Sequence, residues 1–217
     1  MYLLLRSNRV LRTLNSSPWG GGFGWHDGLV NRQVNKNYNA ADPLAEMKKF
    51  LIHEGLCPGS TASMLTAAWV SDVGTHSLQW ADDAGAESNL QVTSWVTVGL
   101  GNRARAGHEV LAASLYPGTI NSIVVVEGVL TDAAMVNAVI TATEAKVAAL
   151  EDLGVRLGDA QSRRITGTTT DAVLIAATQR GNSYQYAGTA TQLGYLIGRT
   201  VYESVMSSGR LNLMKSY

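Results

Sequence analysis

Hydroxyl and carboxylate side chains stand at the ends of two apolar runs in this sequence. A Thr-Thr-Thr-Asp sequence at residues 168–171 precedes the apolar run 173–177, and a Thr-Asp-Ala sequence at residues 131–133 follows the run 120–126. A carboxylate beside a buried strand loses hydration, which costs free energy unless it caps a helix, accepts backbone hydrogen bonds or takes part in chemistry. Amide hydrolysis uses such groups, because it needs an activated hydroxyl or water, donors for the oxyanion and an acid for the leaving amine.

The structural alternative for Asp132 and Asp171 is capping. A carboxylate that caps a helix or turn stabilises it by roughly 0.5–2 kcal/mol, and this use is common. Spacing alone leaves the catalytic and the capping interpretations open.

Other catalytic motifs fail at single positions. His53 begins an H-E-x-x-H pattern, but Cys57 occupies the second histidine position, so a zinc hydrolase is disfavoured. A dinucleotide fingerprint starting at Gly22 fails because Asp27 replaces its third glycine. The sequence also lacks the G-x-S-x-G elbow of the serine hydrolases.

Composition bounds the class of protein. The 217 residues carry 17 basic and 17 acidic side chains, so nothing in the charge balance indicates a nucleic acid or an anionic membrane partner. One cysteine excludes an intramolecular disulfide and fits a reducing cytoplasm. No apolar run approaches the roughly 20 residues of a membrane span. The low charged fraction of 16% leaves room for a homo-oligomeric contact.

Hydrophobic periodicity and turn residues predict one domain at residues 1–217. Strands are expected at residues 3–14, 30–38, 63–72, 90–100, 120–126 and 173–177, and helices at residues 43–55, 132–153 and 191–207. Asp42 is the expected N-cap of the first helix and Gly209 is expected to end the last one. Residues 80–89 indicate a solvated loop or hairpin end. The fold class is therefore α+β, with a mixed or largely antiparallel sheet layered with helices.

Two further segments carry candidate binding residues. The glycine-rich segment 15–28 contains Trp19 and Trp25 and is either a ligand-binding loop or an ordinary wide loop. On the helix at residues 132–153 the predicted apolar stripe is Val136, Val139, Ile140, Val147 and Leu150. Asn137, Thr141 and Glu144 share the neighbouring stripe, where they either line a site or form a solvated flank.

Motifs in a fixed order extend along the chain. They are NSSP at residues 15–18 with GGG at 20–22, VNRQV at 30–34 with KNY at 36–38, LTAA at 65–68, GLGN at 99–102, GTIN at 118–121, LTDA at 130–133 with VNA at 136–138, TATEAK at 141–146, GTTTD at 167–171 and YAG at 186–188. By these motifs the chain resembles the adenosylcobinamide amidohydrolase family, which salvages incomplete corrinoids.

The resemblance implies a reaction and a partner. It implies hydrolysis of the amide that joins the aminopropanol arm to the corrin ring of adenosylcobinamide, giving adenosylcobyric acid. The cobalt corrinoid is then the small-molecule substrate, with no separate cofactor and no protein-bound metal expected. We expect a cytoplasmic enzyme that binds neither nucleic acid nor membrane.

The resemblance also suggests roles for the candidate residues. The expected catalytic group comprises Asp171 as general base or orienter of Thr170, Asp132 as second acid, and Glu144. The expected substrate-binding group comprises Asn102 and Asn137 as amide or oxyanion donors, Lys36 as an electrostatic clamp, and Tyr38, Thr141, Trp19 and Trp25 as lining. All of them are expected to converge on one cleft wide enough for a corrin ring.

Two alternatives remain beside the amidohydrolase. One is a corrinoid-binding module without turnover, which would bind adenosylcobinamide and leave it intact. The other is a hydrolase activated by self-cleavage before Thr168, Thr169 or Thr170. Self-cleavage would produce two fragments, which an intact-mass measurement detects.

Overall fold

Long strands and three α-helices make up the described part of the fold. This computed structural model describes residues 1–81, 87–109 and 118–215. The elements are β1 (Tyr2–Asn15), β2 (Gly22–Gln33), α1 (Pro43–His53), β3 (Thr61–Thr66), a short 3₁₀ helix (Val70–Asp72), β4 (Gly74–Ala81), β5 (Glu87–Val98), β6 (Arg103–Ala104), β7 (Ile120–Val126), β8 (Val129–Leu130), α2 (Asp132–Asp152), β9 (Gly167–Thr168), β10 (Ala172–Ala177), β11 (Ser183–Tyr184) and α3 (Gln192–Met214). Of the predicted loop at residues 80–89, residues 82–86 lie outside the described residues.

A mixed sheet organises these elements. Within the described residues its seven strands have the order β3-β2-β1-β10-β7-β5-β4. The pairs β7–β10 and β2–β3 are parallel, and the other neighbours in the sheet are antiparallel. The predicted α+β class with a mixed sheet is confirmed. The two apolar runs seen in the sequence are the adjacent parallel strands β7 and β10.

The sheet folds over itself at β1 and β2. The register of this pair shifts between Arg6 and Leu11, and such an irregularity bends a strand. Beyond the bend, β2 and β3 cover one face of the β10–β7–β5 region, with Leu29, Met64 and Ile123 packed between the two layers. The helices α2 and α3 cover the opposite face, and α1 covers the outer side of β2 and β3.

The face that α2 buries differs from the predicted stripe. Its buried residues are Ala134, Met135, Ala138, Thr141, Ala142, Lys146, Ala149 and Leu150, whereas Val136 and Ile140 are about half exposed. Small side chains allow the helix axis to lie close to the sheet, so the alanines rather than the β-branched residues form the contact. Among the described helices α2 is long and apolar enough to cross a membrane by length and composition. Core helices pass the same test, and α2 packs on the sheet.

Several other predicted boundaries differ from the observed ones. The strand expected at residues 30–38 begins at Gly22, inside the predicted loop, and ends at Gln33. The strand expected at residues 63–72 ends at Thr66. Gly209 does not end α3, which continues to Met214. A Cβ at Gly209 would lie 2.5 Å from Leu153 Cδ1, so this glycine permits close packing between α3 and the end of α2.

Candidate active site

At the amino-terminal ends of β7 and β10, amides and hydroxyls replace the apolar side chains between the layers. Asn121 Nδ2 donates hydrogen bonds to Asn31 Oδ1 at 2.8 Å and to Leu65 O at 2.7 Å, and Asn31 Nδ2 donates to Thr97 Oγ1 at 2.9 Å. Asn31, Thr97 and Asn121 are buried. Buried polar groups are costly unless paired, so this network fixes how β2, β3, β5 and β7 meet.

A cleft of about 370 Å³ lies at this end of the sheet. Its lining includes Lys36, Tyr38, Asn102, Thr119, Thr169 and Thr170. These residues come from segments far apart in sequence, including KNY, GLGN, GTIN and GTTTD. The fold therefore brings together, at one cleft, several of the motifs that carry the family resemblance.

Asn102 and Thr169 form the best defined polar pair of the cleft. Asn102 Nδ2 donates to Thr169 Oγ1 at 2.6 Å, and the Thr169 amide donates to Asn102 O at 3.2 Å. Asn102 is only 4% exposed, and its Oδ1 has no hydrogen-bond partner within the described residues. An unpaired buried acceptor costs roughly 1–3 kcal/mol. This oxygen is enclosed, so a ligand N–H would relieve the cost only after the carboxamide turns toward the cleft.

Gly118 makes room for that carboxamide. A Cβ at this position would lie 2.4 Å from Asn102 Oδ1 and 2.8 Å from the Gly101 amide nitrogen. Neither neighbour is the flexible end of a long side chain, so a larger residue would displace the loop. The Gly118 carbonyl also accepts a hydrogen bond from Thr170 Oγ1 at 2.8 Å.

Asp171 lies beside the cleft in a buried ion pair with Lys146 of α2. Lys146 Nζ is 2.6 Å from Asp171 Oδ2, and the two side chains are 9% and 14% exposed. The Asp171 carboxylate also accepts hydrogen bonds from the amides of Ile120 at 3.0 Å and Thr168 at 3.1 Å, and from the Thr168 hydroxyl. A carboxylate has about four lone-pair sites, so these four donors satisfy it.

These contacts revise the predicted relation between Asp171 and Thr170. The Asp171 carboxylate binds the Thr168 hydroxyl, whereas Thr170 donates to a backbone carbonyl. Gly167 leaves space for the ion pair, because a Cβ there would lie 2.1 Å from Asp171 Oδ2 and 2.8 Å from Lys146 Nζ. The predicted orientation of Thr170 by Asp171 is therefore wrong. In the GTTTD motif the second threonine, Thr169, faces Asn102 in the cleft.

The opposite wall of the cleft is fixed by α1. Arg32 forms two hydrogen bonds with Glu46, at 2.6 and 2.7 Å, and Tyr38 Oη donates to Glu46 Oε2 at 3.1 Å. The Arg32 hydrogen bonds lower the pKa of Glu46, and burial followed by the bond to Glu46 raises the pKa of Tyr38. Tyr38 is therefore a neutral phenol held in place, while Lys36 is exposed at the rim.

Asp132 lies at the other end of the sheet. It is the first residue of α2, whose N-cap is Thr131, and it pairs with Arg12 at 2.9 Å while its side chain is 61% exposed. The helix rise of 1.5 Å per residue puts Asp132 and Lys146 about 21 Å apart. Because Asp132 follows β7 and Asp171 precedes its parallel neighbour β10, the two carboxylates occupy opposite ends of the strands. The predicted convergence of the two carboxylates on one cleft is wrong.

The polar stripe of α2 also lies away from the cleft. Asn137 Oδ1 accepts from the Ala187 amide at 3.0 Å, and Thr141 Oγ1 donates to the Ala187 carbonyl at 2.7 Å. These two side chains hold the loop before α3. Glu144 is exposed and lines, with Thr141, a separate groove between α2 and α3.

Neither predicted tryptophan wall lines the cleft. Trp19 Nε1 donates to Pro43 O at 3.3 Å, and its ring packs on the core between β2 and α1. Trp25 is 55% exposed, and the Arg12 guanidinium stacks over its ring at 5.3 Å. In the β1–β2–β10 register Trp25 pairs with Arg12, which pairs with Ala177 at the far end of β10.

Sequence reasoning overlooked several residues of the site. Lys146 is four residues after the buried Ala142, so both lie on the same face of α2. A lysine on a buried helix face needs a counter-charge, and this was the signal available in the sequence. Asn31 and Asn121 occur within the family motifs but were not predicted to belong to the site. Within the described ranges, no group of three or more His, Cys, Asp or Glu side chains is arranged to hold a metal ion.

Comparison with known proteins identifies the family. A family model described as adenosylcobinamide amidohydrolase matches residues 1–216. The chain belongs to the adenosylcobinamide amidohydrolase family. This membership supports an amidohydrolase role in corrinoid metabolism.

Individual relatives show how far the similarity extends. The adenosylcobinamide amidohydrolase of Methanosarcina mazei is 29% identical over 205 residues, which cover 88% of this chain and 86% of that protein. An uncharacterised protein of Methanocaldococcus jannaschii is 36% identical over 91 residues, so the match spans 42% of this chain and 35% of that relative. A crystal structure of a Pyrococcus horikoshii protein matches 99% of this chain and 72% of its own with TM-score 0.42 and 12% identity. That score is too low to assign a shared fold.

Proposed function

We propose that this member of the adenosylcobinamide amidohydrolase family hydrolyses the amide between the aminopropanol arm and the corrin ring of adenosylcobinamide. Water adds a hydroxyl to the acyl carbon and a proton to the leaving nitrogen, so the products are adenosylcobyric acid and the free amine. The main support is the convergence of family motifs on one cleft that carries hydroxyl, carboxamide and ammonium groups.

Asn102 and Thr169 are the groups that contact the scissile amide. Asn102 lines the cleft, and its Oδ1 is buried without a partner in the described part of the chain. It accepts the substrate N–H when the carboxamide turns toward the cleft. Thr169 Oγ1 already accepts from Asn102 Nδ2 at 2.6 Å, which leaves its own proton free to bond the substrate carbonyl oxygen. A fixed donor that meets developing negative charge lowers the barrier. Lys36 at the rim adds positive charge.

Asp171 and Lys146 act as positioning residues. Their ion pair joins α2 to the turn before β10, and Asp171 also binds the Ile120 and Thr168 amides. The pair thereby fixes the backbone on both sides of Thr169. A displacement of about 1 Å at a reacting group reduces turnover strongly, so the rigidity of this turn supports catalysis without direct contact with substrate.

The test is incubation with adenosylcobinamide followed by mass spectrometry. The wild-type protein is expected to release adenosylcobyric acid and the amine, and Asn102→Ala is expected to stop that release. Asn8→Ala is the matched control, because Asn8 is exposed and lines a cavity at the other end of the sheet. Corrinoid binding without any acid product would contradict the proposal and leave a non-catalytic binding module.

An intact-mass measurement on the same sample tests for self-cleavage. A single species of 23.1 kDa is expected, because the roles given to Asn102 and Thr169 require no free α-amine. Two fragments separated before Thr168, Thr169 or Thr170 would favour the N-terminal nucleophile mechanism instead.

A further inference from the structure

The size of the cleft determines how a corrinoid can bind. Ligand pockets for drug-sized molecules have volumes of about 300–1,000 Å³, and this cleft holds about 370 Å³. A corrin ring with its amide arms and an adenosyl group exceeds a drug-sized ligand. If the proposed function is correct, one arm enters the cleft and the ring lies against the surface at its rim.

The surface beside the cleft carries an exposed indole. A smaller cavity of about 120 Å³ adjoins the cleft, shares Lys36, Ala67 and Gly118 with it, and is lined by Trp69 as well. Trp69 is 51% exposed. A single exposed aromatic residue is ordinary in a protein surface, but this one shares its cavity with residues of the candidate active site.

Hydrogen bonds hold the backbone on both sides of Trp69. The Ala68 amide donates to Thr66 Oγ1 at 3.0 Å, and the Val70 amide donates to Gln33 Oε1 at 3.0 Å. Asp72, at the end of the 3₁₀ helix that follows, pairs with Lys215 at 2.6 Å. A contact residue on a fixed backbone loses little conformational entropy when a ligand binds.

Trp25 provides the comparison within the same chain. Its exposed fraction, 55%, is similar to that of Trp69, but the Arg12 guanidinium stacks on its ring. It lies near the carboxyl end of β10, because it pairs with Arg12 and Arg12 pairs with Ala177. Ala177 is about 17 Å from Ala172 along a strand that rises about 3.3 Å per residue. Trp25 is therefore too remote to hold a ring whose arm occupies the cleft.

We propose that the Trp69 indole is the platform for the planar ring of the substrate while one amide arm enters the cleft. The ligand class is a flat, largely apolar macrocycle fringed with amides. The indole supplies a broad apolar face, and Lys36, shared by both cavities, donates hydrogen bonds to carbonyl oxygens at the ring edge. The assignment rests on the proposed function for its choice of ligand.

Equilibrium dialysis with adenosylcobinamide tests the platform in Trp69→Ala, Trp69→Phe and Trp25→Ala. All Kd values, including the wild-type reference, are measured in protein that also carries Asn102→Ala, so that the ligand is not hydrolysed during dialysis. Because stacking on an aromatic ring contributes strongly to binding, Trp69→Ala is expected to raise the Kd by roughly 10- to 100-fold. Trp69→Phe keeps a flat ring and is expected to remain within about threefold of wild type. Trp25→Ala is expected to bind like wild type. Urea unfolding midpoints of the three variants verify that they are folded.

A second substrate separates ring binding from chemistry. N-(2-hydroxypropyl)acetamide carries the arm without the ring, so its kcat/KM is expected to be low in wild type and unchanged by Trp69→Ala. An unchanged Kd for adenosylcobinamide in Trp69→Ala, or an equal loss in Trp25→Ala, would overturn the platform. If Trp69→Ala fails to fold, Trp69→Leu replaces it, because leucine keeps an apolar side chain without a flat ring. An unchanged Kd in Trp69→Leu would overturn the platform equally.

The two proposals fail in different ways. Wild-type protein that binds the corrinoid and never cleaves it contradicts the hydrolase, while the Kd of Trp69→Ala still decides the platform. Wild-type protein that cleaves adenosylcobinamide with the same KM in Trp69→Ala keeps the hydrolase and removes the platform.

Discussion

The two ends of the parallel pair β7 and β10 each carry an aspartate with a cationic partner, and the two pairs differ in burial. At the amino-terminal end, Asp171 and Lys146 are 14% and 9% exposed and are joined by further hydrogen bonds. At the carboxyl end, Asp132 and Arg12 are 61% and 18% exposed. The Asp171–Lys146 pair is therefore part of the protein interior, whereas the Asp132–Arg12 pair is a solvated surface contact.

The cavities at the two ends also differ in the sequence motifs that line them. The cavity at the carboxyl end is the larger, about 590 Å³, and apolar side chains such as Leu29 and Trp95 line it together with polar ones such as Arg6 and Glu127. None of its lining residues lies in the motifs that carry the family resemblance. The cleft at the amino-terminal end is smaller, but most of its lining comes from those motifs and it holds the hydrogen-bonded pair Asn102 and Thr169. Amide hydrolysis requires polar groups in fixed positions, so these features, rather than volume, support the smaller cleft as the candidate active site.

Removing one charge from each pair gives the largest predicted contrast. Asp171→Asn is expected to lower the free energy of unfolding by roughly 3–5 kcal/mol, because it leaves Lys146 buried without its counter-charge. Asp132→Asn is expected to lower it by less than about 1 kcal/mol, since exposed ion pairs contribute little. Urea unfolding measures both. If both variants lost the same free energy of unfolding, the proposed difference between a buried and an exposed ion pair would be wrong.

Thr169→Val probes the chemistry with less effect on folding. Loss of a hydroxyl that donates to a developing oxyanion is expected to reduce kcat by roughly 100- to 1,000-fold. The control is Thr189→Val, which changes an exposed threonine in the groove between α2 and α3 and is expected to leave kcat unchanged. A Thr169→Val enzyme with wild-type kcat would remove Thr169 from the reaction.

Gly118→Ala tests whether the shape of the cleft requires a residue without a Cβ at position 118. Its Cβ would lie 2.4 Å from Asn102 Oδ1, and overpacking of this kind destabilises by about 1–3 kcal/mol. Gly158→Ala is the matched control, because a Cβ there meets nothing within 4 Å among the described atoms. We expect Gly158→Ala to stay within about 0.5 kcal/mol of wild type. Urea unfolding measures the loss of stability, and a turnover assay under conditions where Gly118→Ala is folded measures the effect of displacing Asn102.

The smallest predicted effect is a pH dependence of stability at the carboxyl end. His26 pairs with Leu11 in the register, and its Nδ1 lies 2.6 Å from Thr13 Oγ1. Burial lowers the pKa of His26 below its ordinary value of 6.5. The unfolded chain then binds more protons, so this contribution to stability is present above pH 6.5 and is lost as the pH falls through the folded-state pKa.

His26→Gln is expected to reduce the slope of unfolding free energy against pH below pH 6.5. The measurement is a series of urea unfolding curves at pH values on either side of 6.5. An unchanged slope would show that His26 is not the titrating group.

Local sequence signals predicted the class of fold and the existence of its helices. Asp42 caps α1 by accepting a hydrogen bond from the Ala45 amide, as expected from its position before Pro43. The apolar runs at 120–126 and 172–177 are buried strands. These features depend on neighbours within a few residues, which a sequence displays directly.

The arrangement of the site depends on topology, which local signals do not contain. Asp132 and Asp171 occur in similar local sequences, yet β7 and β10 are parallel, so one lies after a strand and the other before its neighbour. The buried face of α2 was misjudged because alanines, rather than Val136 and Ile140, meet the sheet. Lys146 was overlooked because it lies on this misjudged buried face. Its role depends on the position of α2 beside the amino-terminal end of β10, where Asp171 lies.

The central claim is that the cleft at the amino-terminal ends of β7 and β10 is where the amide is cut. A crystal structure of the protein with bound adenosylcobyric acid tests it most directly. The account predicts the product carboxylate within about 2.6–3.2 Å of Asn102 or Thr169 side-chain atoms. A corrinoid bound in the cavity beside Trp95, with the cleft at Asn102 unoccupied, would contradict it.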